Sequence, residues 1–275
     1  LKLVLEREIE YREANTIATI SVSETDGPIR QLITGREPHP TGRPVLVKAG
    51  FRAQAWESFR SELPFMELAE VASPVRQIAA QPHRLDMKVV GGPRPVLTFE
   101  TDFLLTVDSA FVTDLESGVP FWLAALNWRG NAESFEPRTL VVEAKTDDDP
   151  RNHDPEYGHK LNLAREVYGK IGWAFAKVVG SRDLPAGEVA KGVHRIWLRA
   201  LTQVSAVDVA SVSDFIARAG DVRSYCEVVE VLGGGPLGRS KLAALHVRRV
   251  VSINLTKGLS PDSAVRLLND GGAIL

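Results

Sequence analysis

The sequence predicts an α/β protein, with a mixed core of strands and helices followed by a smaller, mostly helical C-terminal module. Three observations carry this. Apolar and polar residues alternate between turn signals, as in PVLTFETDFLLTVDS, with the period of two that a strand requires. Elsewhere the period is helical: in YGHKLNLAREVYGKIGW, Leu161, Ala164, Val167 and Tyr168 share one face. After Arg182 the character changes to short helical runs punctuated by Gly and Asp. A length of 275 residues accommodates two domains comfortably.

Residues 1–50 read as an N-terminal arm. LKLVLEREIEY and NTIATISVS suit either a short strand or a short helix, and GREPHPTGRPVLVKAG is rich in Pro, Gly and basic residues. Arg30, Arg36, Arg43 and Lys48 stand there against Glu37, which fits a DNA-backbone arm or a solvated connector. From Phe51, Trp56, Phe59 and Leu63 fall at helical spacing, placing Glu57 on a helix that Pro64 ends or bends. VRQIAAQPHRLDMKVV reads as strand material broken at Gln81-Pro82. The next strand carries Asp102, and residues 112–137 are irregular with a short helix near 121–126. RTLVVEAK is a strand ending in an acidic loop. The helix with Lys160 near its start and the strand WAFAKVV complete a core over residues 51–182. In residues 183–275, four short helices precede a strand, a Lys-Gly turn and a second short piece. That order describes a winged-helix module.

Composition bounds the function. At 44% hydrophobic and 25% charged the chain is ordinary globular protein. A formal net charge of -2 gives no general footprint for nucleic acid, so polyanion contact has to come from local patches. Cys226 is the single cysteine, which excludes an intrachain disulfide and a multi-Cys zinc site and points to a reducing cytoplasmic setting. Apolar runs fall short of the ~18 residues that span a bilayer, and the N-terminus lacks a signal-peptide core, so no membrane partner is expected.

One constellation carries chemistry. Glu143 and Lys145 lie two apart on a strand and therefore share a face, while Ala144 points away. A solvent face accommodates such a pair, and so does a metal site. With Asp102 on a neighbouring strand and Glu57 on a helix, the pattern suits a hard cation: Mg²⁺ takes one or two carboxylates and keeps several waters. The amine beside it would orient water or stabilise charge building on phosphorus.

This order resembles the PD-(D/E)xK nucleases. The run AWESFRSELPFMELAEVASPVRQIAAQP, then FETDFLL, then VVEAK is similar to the TnsA endonuclease subunits of heteromeric transposases. The resemblance covers about residues 40–275 and rests on Glu57, Gln81-Pro82, Thr101-Asp102-Phe103 and Glu143-Ala144-Lys145. Thr101 stands where the family has Pro, and the insertion 112–137 is long. The resemblance implies a restriction-endonuclease-like mixed sheet flanked by helices and a C-terminal winged helix. It implies a DNA endonuclease using Mg²⁺, with Mn²⁺ as substitute, held by Glu57, Asp102 and Glu143. Lys145 would be the catalytic amine. Double-stranded DNA, a DDE transposase and an AAA+ ATPase are the implied partners, the enzyme cutting the 5′ ends of a transposon. A stand-alone restriction or repair nuclease and a non-catalytic DNA-binding adaptor are the alternatives.

The remaining candidates are weaker. Gln81 is a candidate for orienting the site, and Lys160 for a phosphate contact. Arg239, Lys241, Arg248, Arg249 and Lys257 form a basic set in the C-terminal module. His153 and His159 flank Asp147-Asp148-Asp149 without helical metal spacing and read as solvated loop. GGGPLG at Gly233 to Gly238 lacks the Gly-Lys-Ser/Thr ending of a phosphate loop and reads as a turn.

Overall fold

In the computed structural model the described residues are 7–11, 16–23, 28–29, 40–89, 96–127, 136–218, 220 and 222–268. The chain runs through β1 (Arg7–Tyr11), β2 (Thr16–Val22), β3 (Val45–Leu46), β4 (Arg52–Ala53), α1 (Glu62–Val71), β5 (Val75–Ala80), β6 (His83–Val89), β7 (Val96–Glu100) and β8 (Phe103–Asp108). It continues through α2 (Ser109–Glu116), α3 (Phe121–Leu126), β9 (Pro137–Lys145), α4 (Pro155–Lys170), β10 (Ala174–Val179) and α5 (Gly180–Asp183). The last part comprises α6 (Gly187–Trp197), α7 (Ala206–Ala217), β11 (Val222–Ser224), α8 (Tyr225–Val231), α9 (Gly235–Val247), β12 (Val251–Ile253) and β13 (Ala264–Leu267).

The architecture is mixed α/β. One sheet has the order β10-β9-β8-β5, with β10 parallel to β9 and the other pairs antiparallel. A second, antiparallel sheet has the order β1-β2-β6-β7. The alternation of β9 sends Leu140, Val142 and Ala144 into the larger apolar cluster with α1 and α3, and Val141 into a smaller one with Tyr157, Leu161, Ala164, Val167 and Tyr168 of α4. Both faces of the first sheet are thus covered. The α4 stripe expected from the sequence is buried as a stripe.

Several expectations need correction. Residues 7–11 and 16–22 are not a loose arm: β1 pairs with β2 and β2 along its length with β6, and Ala18 and Ile20 are buried while Thr19 and Ser21 are only half-buried, the alternation of a half-buried strand. Arg30, Arg36 and Glu37 lie outside the described residues. Lys48 is no arm cation. It is buried and donates to the carbonyls of Ala69 (3.2 Å) and Ala72 (2.6 Å). The first core helix starts at Glu62, not near Phe51, and Pro64 lies in its first turn. There N–H groups have no intrahelical acceptor, so Pro costs little. Trp56 instead bridges to Gly42 in extended backbone, and Phe59 is 62% exposed.

The run read as one strand through Asp102 is two. β7 belongs to the second sheet and β8 to the first, and the chain changes sheet at Thr101-Asp102. Between β5 and β6 it changes sheet at Gln81-Pro82, where Gln81 takes the left-handed φ of 48°. The two corners are tied together by the Gln81 N–H donating to the Asp102 carbonyl (2.8 Å).

The C-terminal elements α7, β11, α8, α9, β12 and β13 close on a small sheet of order β11-β13-β12. Of GGGPLG, Gly233 and Gly234 form the turn expected and Gly235 to Gly238 begin α9; Gly233, Gly234 and Gly235 are all at positive φ. One apolar cluster runs across residue 182, from Leu46 and Phe65 through Val193 and Ile196 to Leu245 and Val265.

Candidate functional site

Antiparallel pairing of β8 with β9 sets Phe103 opposite Val142. One step back along the chain before β8 and one step forward on β9 therefore bring Asp102 beside Glu143. The contact is made through backbone as well: the Ala144 N–H donates to Asp102 Oδ2 at 2.8 Å. Asp102 shares a face with Leu104, and Glu143 and Lys145 share one with Val141. Both sets face the α4 side of the sheet.

Lys145 Nζ lies 3.6 Å from Asp102 Oδ2 and in close contact with Glu143 Oε1. The Tyr157 hydroxyl donates to the same Glu143 oxygen. The other, Oε2, is buried with no hydrogen-bond partner among the described residues. Burial, and then the Glu143 charge, push the Asp102 carboxyl well above its usual range, against a smaller opposing pull from Lys145. Burial alone would lower the Lys145 ammonium, but Asp102 and Glu143 outweigh it and hold the group charged. Two carboxyl groups thus share one ammonium.

These groups open onto a cavity of about 350 Å³, also lined by Glu57, Glu62, Thr98, Arg151 and Lys160. Glu57 is in the loop before α1 rather than on a helix, and its N–H donates to Glu62 Oε2 (2.8 Å). Among the described residues no three His, Cys, Asp or Glu side chains gather closely enough to hold a metal ion. Glu57, Asp102 and Glu143 all line this cavity without gathering to ligand distance, and Glu57 stands in the loop before α1 rather than on the helix expected to carry it. What remains is a pair of adjacent carboxylates with an unpartnered buried oxygen. That donor set fits Mg²⁺, which accepts one or two carboxylates and completes its octahedron with water.

The other sequence candidates divide. Lys160 lines the cavity, lying 5.1 Å from the Tyr157 ring centre and 3.4 Å from the Thr98 carbonyl. Gln81 is not on the cavity wall and acts through its N–H on the Asp102 corner. His153 and His159 are exposed. In the C-terminal part Arg239 and Lys257 are exposed. Lys241 is paired with Asp208 (2.7 Å). Arg248 is not available to DNA: it is buried, donates to the Ala200 carbonyl at 2.7 Å and covers Phe51. Arg249 is also buried and donates to the Ser73 carbonyl. Both follow the last turn of α9, which packs inward.

Three residues of the site escaped the sequence reading. Glu62 was hidden by the misplaced helix start. Tyr157 and Arg151 follow the acidic loop; the signal for Tyr157 was its place in the first turn of α4, after the cap Asp154 and Pro155. Arg151 pairs with Asp149 through two nitrogens (3.0 and 2.7 Å) and stacks over Tyr157. Thr101 also finds its reason here. Its hydroxyl closes a buried ring of hydrogen bonds with His83 Nε2 (3.0 Å) and Tyr168 (3.0 Å), which are themselves 2.7 Å apart.

Compared with known proteins, the chain matches no family model and no curated protein.

Proposed function

We propose that the chain is a metal-dependent DNA endonuclease of the PD-(D/E)xK type. In this reading the sheet β10-β9-β8-β5 is its restriction-endonuclease-like core, and residues 206–267 form a winged-helix module. The observation that carries the reading is the juxtaposition of Asp102, Glu143 and Lys145 on one face of two neighbouring chain segments, with Glu143 Oε2 left unpartnered. The α7-β11-α8-α9-β12-β13 order and the β11-β13-β12 sheet support the second part.

Asp102 and Glu143 are the groups that would hold Mg²⁺ or Mn²⁺, which when bound supplies Lewis-acid polarisation of a phosphodiester and a more acidic water. Glu57 and Glu62 line the same cavity and are the other carboxylates such an ion would meet. Lys145 keeps its proton and offers it as a hydrogen-bond donor to the attacking water or the phosphoryl oxygens. Tyr157 fixes the Glu143 carboxylate by one oxygen and leaves the second for other use. Lys160 and Arg151 bring positive charge to the cavity wall, where a phosphate would approach. The TnsA resemblance adds a DDE transposase and an AAA+ ATPase as proposed partners and the 5′ transposon ends as proposed substrate.

The test is Mg²⁺-dependent nicking of duplex DNA, alone and with a transposase partner. Glu143→Ala and Lys145→Ala should each lower the rate by about 1,000-fold or more while the fold is kept. Undiminished cleavage by either variant overturns the assignment. Cutting of purified DNA without a partner makes the chain a stand-alone nuclease, and intact protein that neither cuts nor binds Mn²⁺ makes it an adaptor.

A further inference from the structure

A second cleft, of about 440 Å³, lies in the C-terminal part, far in sequence from the carboxylate cavity. Arg195 near the end of α6, Arg199 just after it, Arg239 from the second turn of α9, and Tyr225, Cys226 and Glu230 of α8 line it together with Leu259, Ser260 and Pro261. Close backbone approach builds it. Gly192 of α6 meets the Leu259 backbone so tightly that a Cβ would lie 2.9 Å from its nitrogen, and a Cβ on Gly258 would lie 2.9 Å from the Glu188 carbonyl. The loop 254–263 is thereby seated on α6.

The charges in this cleft do not cancel. None of the three arginines forms an ion pair with a carboxylate among the described residues, and Glu230 is the one acid on the wall. Arg199 spends one nitrogen on the Arg195 carbonyl, and Arg199 and Arg239 both act on the Tyr225 hydroxyl. The first turn of α9 has no side-chain cap, so its N–H groups add to the positive end. Such a patch is notable in a chain of net charge -2.

We propose that this cleft is a site for the phosphodiester backbone of DNA, held by Arg195, Arg199 and Arg239. Guanidinium forks match phosphate oxygens bidentately. From Leu242 to Val247 α9 is buried, so the helix cannot lie along a groove; its N-terminal end, where Arg239 is exposed, can meet backbone, which positions a duplex without reading it. The choice of DNA as the source of the phosphate rests on the endonuclease reading.

Cys226, exposed and on the cleft wall, is a built-in reporter. The experiment uses the whole chain in EDTA, so that cleavage plays no part. A duplex should slow the reaction of Cys226 with a disulfide reagent. The Arg195→Gln/Arg199→Gln/Arg239→Gln variant should bind duplex about 10-fold or more weakly, with the slope of log affinity against log salt reduced by about 2 to 3, since each phosphate contact contributes about 0.9. The single exposed change Arg239→Glu should weaken binding in the same direction without risk to the fold. An unprotected Cys226, or unchanged affinity and salt slope in both variants, overturns the proposal. Stronger protection by polyglutamate than by duplex at equal charge also overturns it, in favour of an acidic protein partner. Because nicking is scored separately with metal present, loss of this site and failure of the nuclease reading give different results.

Discussion

Two buried charge clusters in this molecule use the same residue types to opposite ends. At the seam between α1 and the C-terminal part, Glu70 accepts from the Val47 and Lys48 N–H groups (2.5 and 3.2 Å), while the Lys48 ammonium has two carbonyls. Arg248 and Arg249 donate to the carbonyls of Ala200 and Ser73. His246 is neutral, its Nδ1 accepting from the Ile253 N–H (3.1 Å) and its pKa pulled down to about 3, chiefly by burial. At the carboxylate cavity, by contrast, two acids share one ammonium and a carboxylate oxygen has no partner. The seam's charged groups end on fixed partners, although His246 Nε2 is buried without one, whereas at the cavity two acids face one ammonium and open space. Burial of charge alone does not mark a functional site: the seam's surplus cations are spent on backbone carbonyls, while the cavity's acids face open space.

Breaking each cluster by one charge should therefore give opposite outcomes. Glu70→Ala leaves the buried Lys48 ammonium without its opposing charge and two N–H groups without their acceptor, and should destabilise by about 3–5 kcal/mol. Asp102→Asn removes a charge held against both burial and Glu143, and should leave stability unchanged or raised while ending cleavage. Denaturant titrations of the two variants check this. Equal losses in both would mean that the cavity, too, is structural.

The sequence made parts of this contrast legible. Glu143 and Lys145 could be placed together because strand periodicity is strict, and the α4 stripe because helical periodicity is. The pairing of Asp102 with Glu143 followed from motif order, although the reason is a sheet-to-sheet corner that no local pattern announces. Arg248 and Lys48 were misread because a charged side chain in a basic run looks the same whether it meets phosphate or a helix-terminal carbonyl. Glu57 was misplaced because Trp56, Phe59 and Leu63 mimic a helical stripe in a segment that is extended and then turned. Pairings at long sequence separation, such as Arg249 with Ser73, leave no local trace.

A smaller effect probes the polar ring behind the cavity. His83 is fully buried, and burial lowers its pKa to about 4. It is thus neutral in the folded protein between pH 6.5 and 4, where the unfolded chain binds a proton. The stability is fully present above pH 6.5 and is lost as pH falls through that window, by about 3 kcal/mol for this group. His83→Gln should flatten that part of the stability profile. A profile as steep as that of the unsubstituted protein would assign the acid sensitivity to other groups, His246 foremost.

The smallest expected change is the most telling for the cavity. The cation that Asp102 and Glu143 hold in this structure is the Lys145 ammonium. A divalent ion on the same carboxylates works against that positive charge only a few ångströms away. Lys145→Met keeps the length of the side chain and removes the charge, so metal affinity should rise even as cleavage is lost. Coulomb's law at the effective dielectric of a partly buried site makes the repulsion worth a few kcal/mol at contact distance, of which solvent and side-chain movement take the larger share. About a tenfold gain in Mn²⁺ affinity by calorimetry is the reasonable reading of the remainder. The titration belongs at pH 8, because removing Lys145 lets Asp102 take up a proton more readily and a proton competes with the metal. Weaker Mn²⁺ binding by the Met variant would show that Lys145 organises the two carboxylates rather than opposing their ion, and its place in the site would then be that of a scaffold.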